Sequence, residues 1–548
     1  MPPRVTVVVT QRERMSLTER SLESVLSDRS EPFELIYVTG GTRGDLRHYL
    51  ETKSAEAQFR LLQQPDWLWP NVARNLAMAH VTTEYVVFID NDVLVEVGWL
   101  QRLVSAADET GAALVGPLYL WSDGEGQPRI HMAGGVLKFV EEDGGLEIFE
   151  HHNRINESLA VRAELVRGAC DYLEYHCMLV RTDFLRAIGG LNEQITCVHE
   201  HIDLALEARK RNLPVIMEPS SGVDYLAFVP LAVSDSDFYQ WRWSKEAVAA
   251  SLNAFCEKWG SISDGAALKS VQQFAGKHRE EANLFIAGRL NGTNGEILAA
   301  TDVRQTSMEL LKHAFVCGYG REDLFLIDKA CSVAMALFSD GYRPCGRPFL
   351  LHMIGSASVL IAFGFAPRVV VCGMLHAAYT HAPVGSMANV SLDAVQRMLR
   401  SKFGVRVEQI ILEYARFQSD PALWIGRRPL NQLTLDDATV MAIGLANEID
   451  EHAAGEFLFT TKRSSAETWL DYAATVAEAL KVPGLALSLS AASQAPAPDG
   501  FNVQRKMNRS FRLQQGNAIP MEHGKFVQWD SGEHGAIGGS TPDFSLAG

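Results

Sequence analysis

Short runs of consecutive apolar residues punctuate the first 220 positions, and segments of helical spacing separate them. Val5-Thr6-Val7-Val8-Val9-Thr10 is a β-branched run and predicts a first strand. Ser16-Leu17-Thr18-Glu19 has the spacing of a helix-start capping box, after which Leu22, Val25 and Leu26 share one face. Residues 33–38 predict a second strand, ending at Gly40-Gly41 where the backbone must turn sharply, and 59–62 a short third. A helix starts at Pro70 and runs to about His80. Val86-Val87-Phe88-Ile89 then reads as a strand buried on both faces. Helix over 99–107, strand over 113–115, helix over 204–211 and strand over 213–218 continue the alternation, which predicts a doubly wound, mostly parallel α/β sheet.

From Thr306 the pattern is helical throughout, over 326–338, 352–363, 369–375, 407–417, 436–452 and 466–480. This predicts an all-α domain of its own over 306–482, joined to the first domain (1–260) by a polar helical connector at 261–305. After residue 482, Ser493-Gln494-Ala495-Pro496-Ala497-Pro498 reads as a linker, and the Gly- and Ser-rich remainder as a disordered tail. Arg505, Lys506, Arg509 and Arg512 form a small basic cluster there.

Composition narrows the class. A chain of 548 residues is too long for one core. Its net charge of −16 argues against a general nucleic-acid binder, so an anionic substrate needs local help from a metal or particular arginines. No run approaches the ~18–20 apolar residues of a membrane span. Met1-Pro2-Pro3-Arg4 leads straight into a strand with no visible signal peptide. The eight cysteines include no Cys-x-x-Cys pair, which fits reduced thiols and predicts a cytoplasmic protein.

The chemistry gathers at Asp90-Asn91-Asp92, directly after the central strand. Open α/β sheets bind ligands at the carboxyl ends of their strands, and two carboxylates alternating about Asn91 suit a hard cation that also grips a diphosphate. Taken with Val5–Thr10, Ala73-Arg74-Asn75, Gly98-Trp99-Leu100, Gly189-Gly190-Leu191-Asn192-Glu193 and His199-Glu200-His201-Ile202-Asp203-Leu204, this makes residues 4–260 resemble a family 2 glycosyltransferase with the GT-A fold. The resemblance implies a nucleotide-diphosphate sugar as donor and a sugar, lipid-linked or other hydroxyl acceptor. It implies that Thr10, Gln11, Arg12, Arg74 and Asp90 face the nucleotide, and that Asp90 and Asp92 hold Mn²⁺ or Mg²⁺. One departure stands out: the acid usual after the second strand is replaced by Thr39-Gly40-Gly41-Thr42, with Asp45 the nearest carboxylate, which leaves the nucleobase open.

Inverting transfer needs a group that takes the acceptor's hydroxyl proton as that oxygen attacks. The family pattern Glu-Asp-x-Asp-Leu reads Glu200-His201-Ile202-Asp203-Leu204 here, so Glu200 is the favoured base, His201 the second and Asp203 the third. Alternatively His199 and His201 complete a metal site. His131, within Ile130-His131-Met132-Ala133-Gly134-Gly135, reads as a structural turn residue.

Residues 329–381 resemble the HD hydrolase domain of the (p)ppGpp synthetase/hydrolase family, through Gly346-Arg347-Pro348-Phe349-Leu350-Leu351-His352 and Cys372-Gly373-Met374-Leu375-His376. Phe338, Ala377 and Asn447 fall where metal ligands are expected, and Thr380-His381 where an acidic pair would stand. His352 and His376 alone survive, and two ligands hold a metal poorly. The expectation is therefore a spent HD-like domain that binds a partner or a second protomer. The competing readings are an HD phosphohydrolase with a sugar-recognising first domain, and a non-catalytic assembly protein.

Overall fold

The computed structural model describes residues 2–283, 298 and 303–494, except 29, 43, 123–125, 143–144, 263–264, 340, 344–345, 382–390, 429–432, 455–476, 478–479 and 481. The first domain is built on one sheet. Its strands are β1 (Val5–Thr10), β2 (Phe33–Gly40), β3 (Arg60–Gln64), β4 (Tyr85–Asp90), β5 (Val93–Val95), β6 (Leu114–Trp121), β7 (Arg129–Met132), β10 (Gly168–Ala169), β11 (Cys177–Arg181) and β12 (Val215–Tyr225). The order is β10-β12-β6-β11-β4-β1-β2-β3, with β5 added to β12 and β7 to β6. Between β7 and β10, β8 (Gly135–Glu142) and β9 (Gly145–His152) pair as a separate hairpin.

The sheet is mixed, which corrects the mostly parallel expectation. β1, β2, β3 and β4 are parallel, but β11 runs antiparallel between β4 and β6. The chain leaves β6 through β7 and the β8–β9 hairpin and re-enters at the sheet's carboxyl edge, so β11 must run back down. Residues 172–176 therefore lie at that edge beside Asp90.

Helices α1 (Thr18–Ser27), α2 (Gly44–Ala57), α3 (Pro70–Met78), α4 (Trp99–Thr110), α5 (Thr182–Ala187) and α6 (Glu200–Lys210) connect the strands. The expected capping box at Ser16 is absent. Ser16 gives its hydroxyl and its backbone N–H to Asp235, at 2.6 and 2.8 Å, and a 3₁₀ turn over Met15–Leu17 leads into α1 instead. α7 (Ser236–Arg242), α8 (Lys245–Trp259) and α9 (Ala266–Asn283) follow. α9 packs on α7, α8 and β9, with Ala267 N–H donating to Glu147 at 2.7 Å, so the segment read as a connector begins as part of the first domain.

The second region is helical: α10 (Ser307–Val316), α11 (Arg321–Phe338), α12 (Phe349–Ala362), α13 (Pro367–Leu375), α14 (Leu392–Phe403), α15 (Val405–Ser419), α16 (Pro421–Gly426), α17 (Leu435–Ala453) and α18 (Pro483–Gln494). α12 is buried on every face from His352 to Ala362, which makes it the central helix of the bundle. α18 lies where the linker was expected. Leu485 and Leu489 are buried, α18 packs on α17, and residues 495–548 with the basic cluster lie outside the described residues. The helix expected over 466–480 also falls outside them, apart from Ala477 and Leu480. Two backbone bonds join the regions: Val233 N–H to Leu433 C=O at 2.9 Å, and Leu435 N–H to Leu231 C=O at 2.8 Å. Among the described residues the seven cysteines are all unpaired, and no helix is long and apolar enough to cross a membrane.

Candidate active site

β1 and β4 are parallel neighbours in a register that pairs Thr10 with Asp90, so the loop after β1 and the Asp90–Asp92 turn share one edge. Asn91 locks them together. Its carbonyl oxygen accepts from Arg12 N–H at 2.8 Å, and its amide donates to Arg14 C=O at 3.2 Å and Thr18 Oγ1 at 3.0 Å. The middle residue of Asp-Asn-Asp thus holds the loop that carries three more charged side chains.

Those charges are buried. Asp90 has Arg12 Nη1 at 3.5 Å, Arg74 Nη2 at 3.6 Å and His176 Nδ1 at 3.2 Å. Burial pushes its carboxyl up, but Arg12, His176 and Arg74 outweigh burial and hold it below the usual range. Glu13 is enclosed by Arg12, Arg14 and Arg242 and accepts from Tyr225 OH at 3.0 Å. Burial again opposes ionisation, and Arg12, His278 and the other arginines reverse it, bringing the carboxyl down to about 2.

Asp92 differs. It is fully buried, no ion pair reaches it among the described residues, and neither of its oxygens has a hydrogen-bond partner there. Burial, then Asp90 and Glu13, push its carboxyl up to about 7. Both oxygens of Asp90 also lack hydrogen-bond geometry to any partner among the described residues. Four acceptor oxygens on two buried carboxylates, one of them without a cation, fit a hard divalent ion.

The other expected contacts are held by local structure. Gln11 donates to Thr39 Oγ1 at 2.6 Å and Thr42 Oγ1 at 2.8 Å and accepts from Gly40 N–H at 2.9 Å. It thereby braces the turn that lacks the usual acid. Gly40 admits no side chain, since a Cβ would lie 2.3 Å from Asp66 C=O. Arg74 is set by Asn71 at 3.2 Å and by the Tyr175 ring, 3.6 Å below its guanidinium. Asn75 explains the distant Gly-Gly-Leu-Asn-Glu stretch: it exchanges bonds with Leu191 N–H and C=O, both at 2.9 Å.

Glu200 opens α6 and is buried, with Arg242 Nη2 at 3.6 Å. It follows His199, whose φ of 65° is a left-handed conformation that few side chains other than Asn, Asp and His tolerate. His199 and His201 both turn to Glu150, at 3.0 and 3.2 Å, and His201 also lies 3.7 Å from Glu174. Burial lowers the His201 imidazole, but Glu174 and Glu150 outweigh it and raise it to about 9. A histidine already protonated at neutral pH takes no further proton. Asp203 is taken by Lys258 at 2.7 Å and the Trp259 indole at 2.8 Å. Of the three base candidates, only Glu200 is on the arginine side with Asp90, and neither histidine beside it joins Asp92. Glu13 lies in the turn Thr10 to Arg14 that the resemblance places at the nucleotide, whereas Glu150, Glu174, His152 and His176 escaped the sequence reading. Each of these last lies outside the motifs, and only the sheet's topology brings them together.

In the helical domain, His352 and His376 meet with ring centroids 5.3 Å apart. The three positions at which the resemblance expects metal ligands carry no charged group. Phe338, Ala377 and Asn447 are buried, and the His381 ring packs 4.6 Å from Phe349. Asp450, one turn beyond Asn447 and not singled out in sequence, reaches His352 Nδ1 at 2.7 Å. Arg347 grips both of its oxygens, at 2.8 and 3.0 Å.

Residues 6–162 match the family described as Glycosyl transferase family 2. Over 140 residues the chain is 24% identical to the pre-mycofactocin glycosyltransferase of Mycobacterium tuberculosis (strain CDC 1551 / Oshkosh), covering 25% of this chain and 26% of that protein. The chain thus spans about a quarter of that relative's length. Among solved structures it is similar to GalNAc-T7 with UDP, GalNAc and Mn²⁺, at 12% identity and a TM-score of 0.35, over 50% of this chain and 54% of that one. It is also similar to the mannosyltransferase PcManGT of Pyrobaculum calidifontis with GDP-Man and Mn²⁺, at 14% identity and a TM-score of 0.32, over 52% and 73%. The family match covers residues 6–162, within the first domain, and ends before Glu174, His176 and Glu200.

Proposed function

We propose that the first domain is an inverting, metal-dependent GT-A glycosyltransferase that moves a sugar from a nucleotide-diphosphate sugar to an acceptor hydroxyl. The observation that carries this reading is Asp92, a buried carboxylate without a cation at the carboxyl edge of the sheet. Asp90 and Asp92 would hold Mn²⁺ or Mg²⁺, which when bound supplies positive charge to a leaving diphosphate. The chain's own residues do the rest. Arg12 and Arg74 at Asp90, and Arg14 and Arg242 at Glu13, are cations held in place by the fold. Gln11 shapes the turn on which the nucleobase would rest. Glu200 takes the acceptor's proton at a side-chain oxygen, while His201, held as a cation by Glu150 and Glu174, keeps the first turn of α6 in place. Calorimetry with UDP- and GDP-sugars, with and without Mn²⁺, tests the reading. Mn²⁺-dependent binding supports it, and no binding of any nucleotide sugar would sink it.

For the helical domain the same proposal assigns an HD-like bundle without hydrolytic activity, which holds a protein partner or a second protomer. Its support is the internal pairing of Asp450 with Arg347 and His352, which among the described residues leaves no three metal-ligating groups gathered at the two imidazoles. Elemental analysis finding stoichiometric Mn, Fe or Zn that disappears with His352→Ala would replace it with the phosphohydrolase reading.

A further inference from the structure

A second group of side chains with metal-ligating atoms sits beside the proposed donor site, and of its members only Glu174 has a part there, through its contact with His201. His131 on β7, His152 at the end of β9 and Glu174 ahead of β11 each offer one ligand atom, and these atoms all lie within 4.8 Å of one another. His131 and Glu174 are buried and His152 is half-buried. His152 Nε2 is 3.3 Å from Glu174 Oε1, while Nδ1 of both histidines is buried with no hydrogen-bond partner among the described residues.

The backbone builds this convergence. Gly135 pairs with His152 in the hairpin, and it also exchanges bonds with the chain ahead of β11: its N–H donates to Tyr172 C=O at 3.1 Å, and Asp171 N–H donates to its C=O at 2.8 Å. A Cβ at Gly135 would strike the Tyr172 ring at 2.2 Å, so glycine alone lets the hairpin approach. Tyr119 OH then fixes the turn that carries Glu174: it accepts from Glu174 N–H at 3.2 Å and has Glu174 C=O at 2.9 Å and Cys177 C=O at 2.8 Å as alternative acceptors for its one proton. Three chain segments distant in sequence are thus held so that two imidazoles and one carboxylate face a common point.

We propose that His131, His152 and Glu174 form a transition-metal site that takes Zn²⁺, separate from the Asp90–Asp92 pair. Donor chemistry separates the two sites. Imidazole suits zinc, whereas an all-carboxylate pair suits Mg²⁺ or Mn²⁺. Tetrahedral zinc with bonds of 2.0–2.1 Å wants its ligand atoms about 3.3 Å apart, so closing from 4.8 Å asks only for small side-chain rotations. Two histidines and a glutamate leave a fourth position for water or a substrate oxygen. The zinc would clamp the β8–β9 hairpin to residues 172–176. His176, whose ring centre lies 5.5 Å from that of His131, is the side chain between the two sites.

The inference rests on the geometry of the His–His–Glu group and holds whether or not the chain transfers sugars. The test is zinc binding by the full-length protein after chelator treatment, dialysis against Zn²⁺ and elemental analysis, with Co²⁺ absorption as a second readout. Stoichiometric zinc and visible Co²⁺ bands are expected. His131→Gln and His152→Gln should each weaken zinc by more than the about 10–100-fold that losing an outer-shell partner costs. Asp92→Asn should leave zinc in place. The proposal is overturned by a wild-type protein that retains no zinc and shows no Co²⁺ bands. It is equally overturned by zinc that survives in both histidine variants while their circular dichroism is native, or by zinc lost with Asp92→Asn, which would assign the ion to the donor site.

Discussion

At the sheet's carboxyl edge, Asp92 is fully buried and neither oxygen has a partner among the described residues. In the helical domain, Asp450 is buried to the same degree, yet Arg347 holds both its oxygens and His352 Nδ1 touches one of them. Burial pushes both carboxyls up; at Asp450 the hydrogen bonds of Arg347 oppose it, whereas at Asp92 the charges of Asp90 and Glu13 add to it, and Arg14 and Arg12 oppose it without forming an ion pair. A buried carboxylate with internal partners is architecture: Gly355 even gives up its side chain to make room, since a Cβ there would sit 1.8 Å from Asp450 Oδ1. One without them carries a desolvation cost that the fold leaves uncompensated until a ligand arrives. The same residue type therefore marks a site in one domain and a strut in the other.

The sharpest way to break this contrast is Asp92→Ala. It should abolish Mn²⁺-dependent donor binding and lower turnover by about 10³-fold, the scale of losing a main electrostatic stabiliser. The circular dichroism should stay native. Unchanged affinity in calorimetry would end the claim. Arg347→Ala tests the other half. It strands Asp450 and should cost the protein about 3 kcal/mol or more in urea unfolding, as breaking a buried pair does. An unmoved unfolding midpoint would show that Asp450 never depended on its arginine. Within the first domain, Glu200→Gln should keep donor affinity and cut turnover about 10²-fold, whereas His201→Gln should cost less. The reverse order would move the base to the histidine.

How far the sequence carried these conclusions depended on the distance over which each signal acts. Local signals served well. The valine run of β4 and the carboxylates that follow it, the helix from Pro70, and the onset of helical spacing at Thr306 ahead of α10 are all nearest-neighbour chemistry. Ser16 misled because its capping pattern is also local, and a tertiary partner, Asp235, outcompeted it. The direction of β11 is a matter of topology, and no periodicity reports it. The site divides in the same way. Asp90, Asp92, Arg74 and Glu200 sit in motifs, whereas Glu174 and His176 acquire meaning only when the carboxyl edge is assembled. Asp203, the third candidate base in sequence, is held by Lys258 and Trp259, tertiary contacts that no motif reports.

The smallest expected effect is the most direct measure of the strain at Asp92. Its carboxyl sits at about 7 in the folded chain against an ordinary 3.8. Below 3.8 it is protonated in both folded and unfolded protein, and it adds no pH dependence. Between 3.8 and about 7 the unfolded chain releases the proton and the folded chain keeps it, so stability falls as pH rises through this window. Above about 7 the group is ionised in both states and the penalty is constant. Asparagine carries no such charge. In metal-free protein, Asp92→Asn should therefore melt with the wild type in acid and a few degrees above it in mild alkali, at ~2–4 °C per kcal/mol for a domain of 150–250 residues. Mn²⁺ added in alkali should raise the wild-type melting point and leave the variant's unmoved, because the ion binds the ionised carboxylate and competes with its proton. Parallel melting curves for the two proteins across this range would mean that Asp92 is compensated from within, and the contrast with Asp450 would collapse.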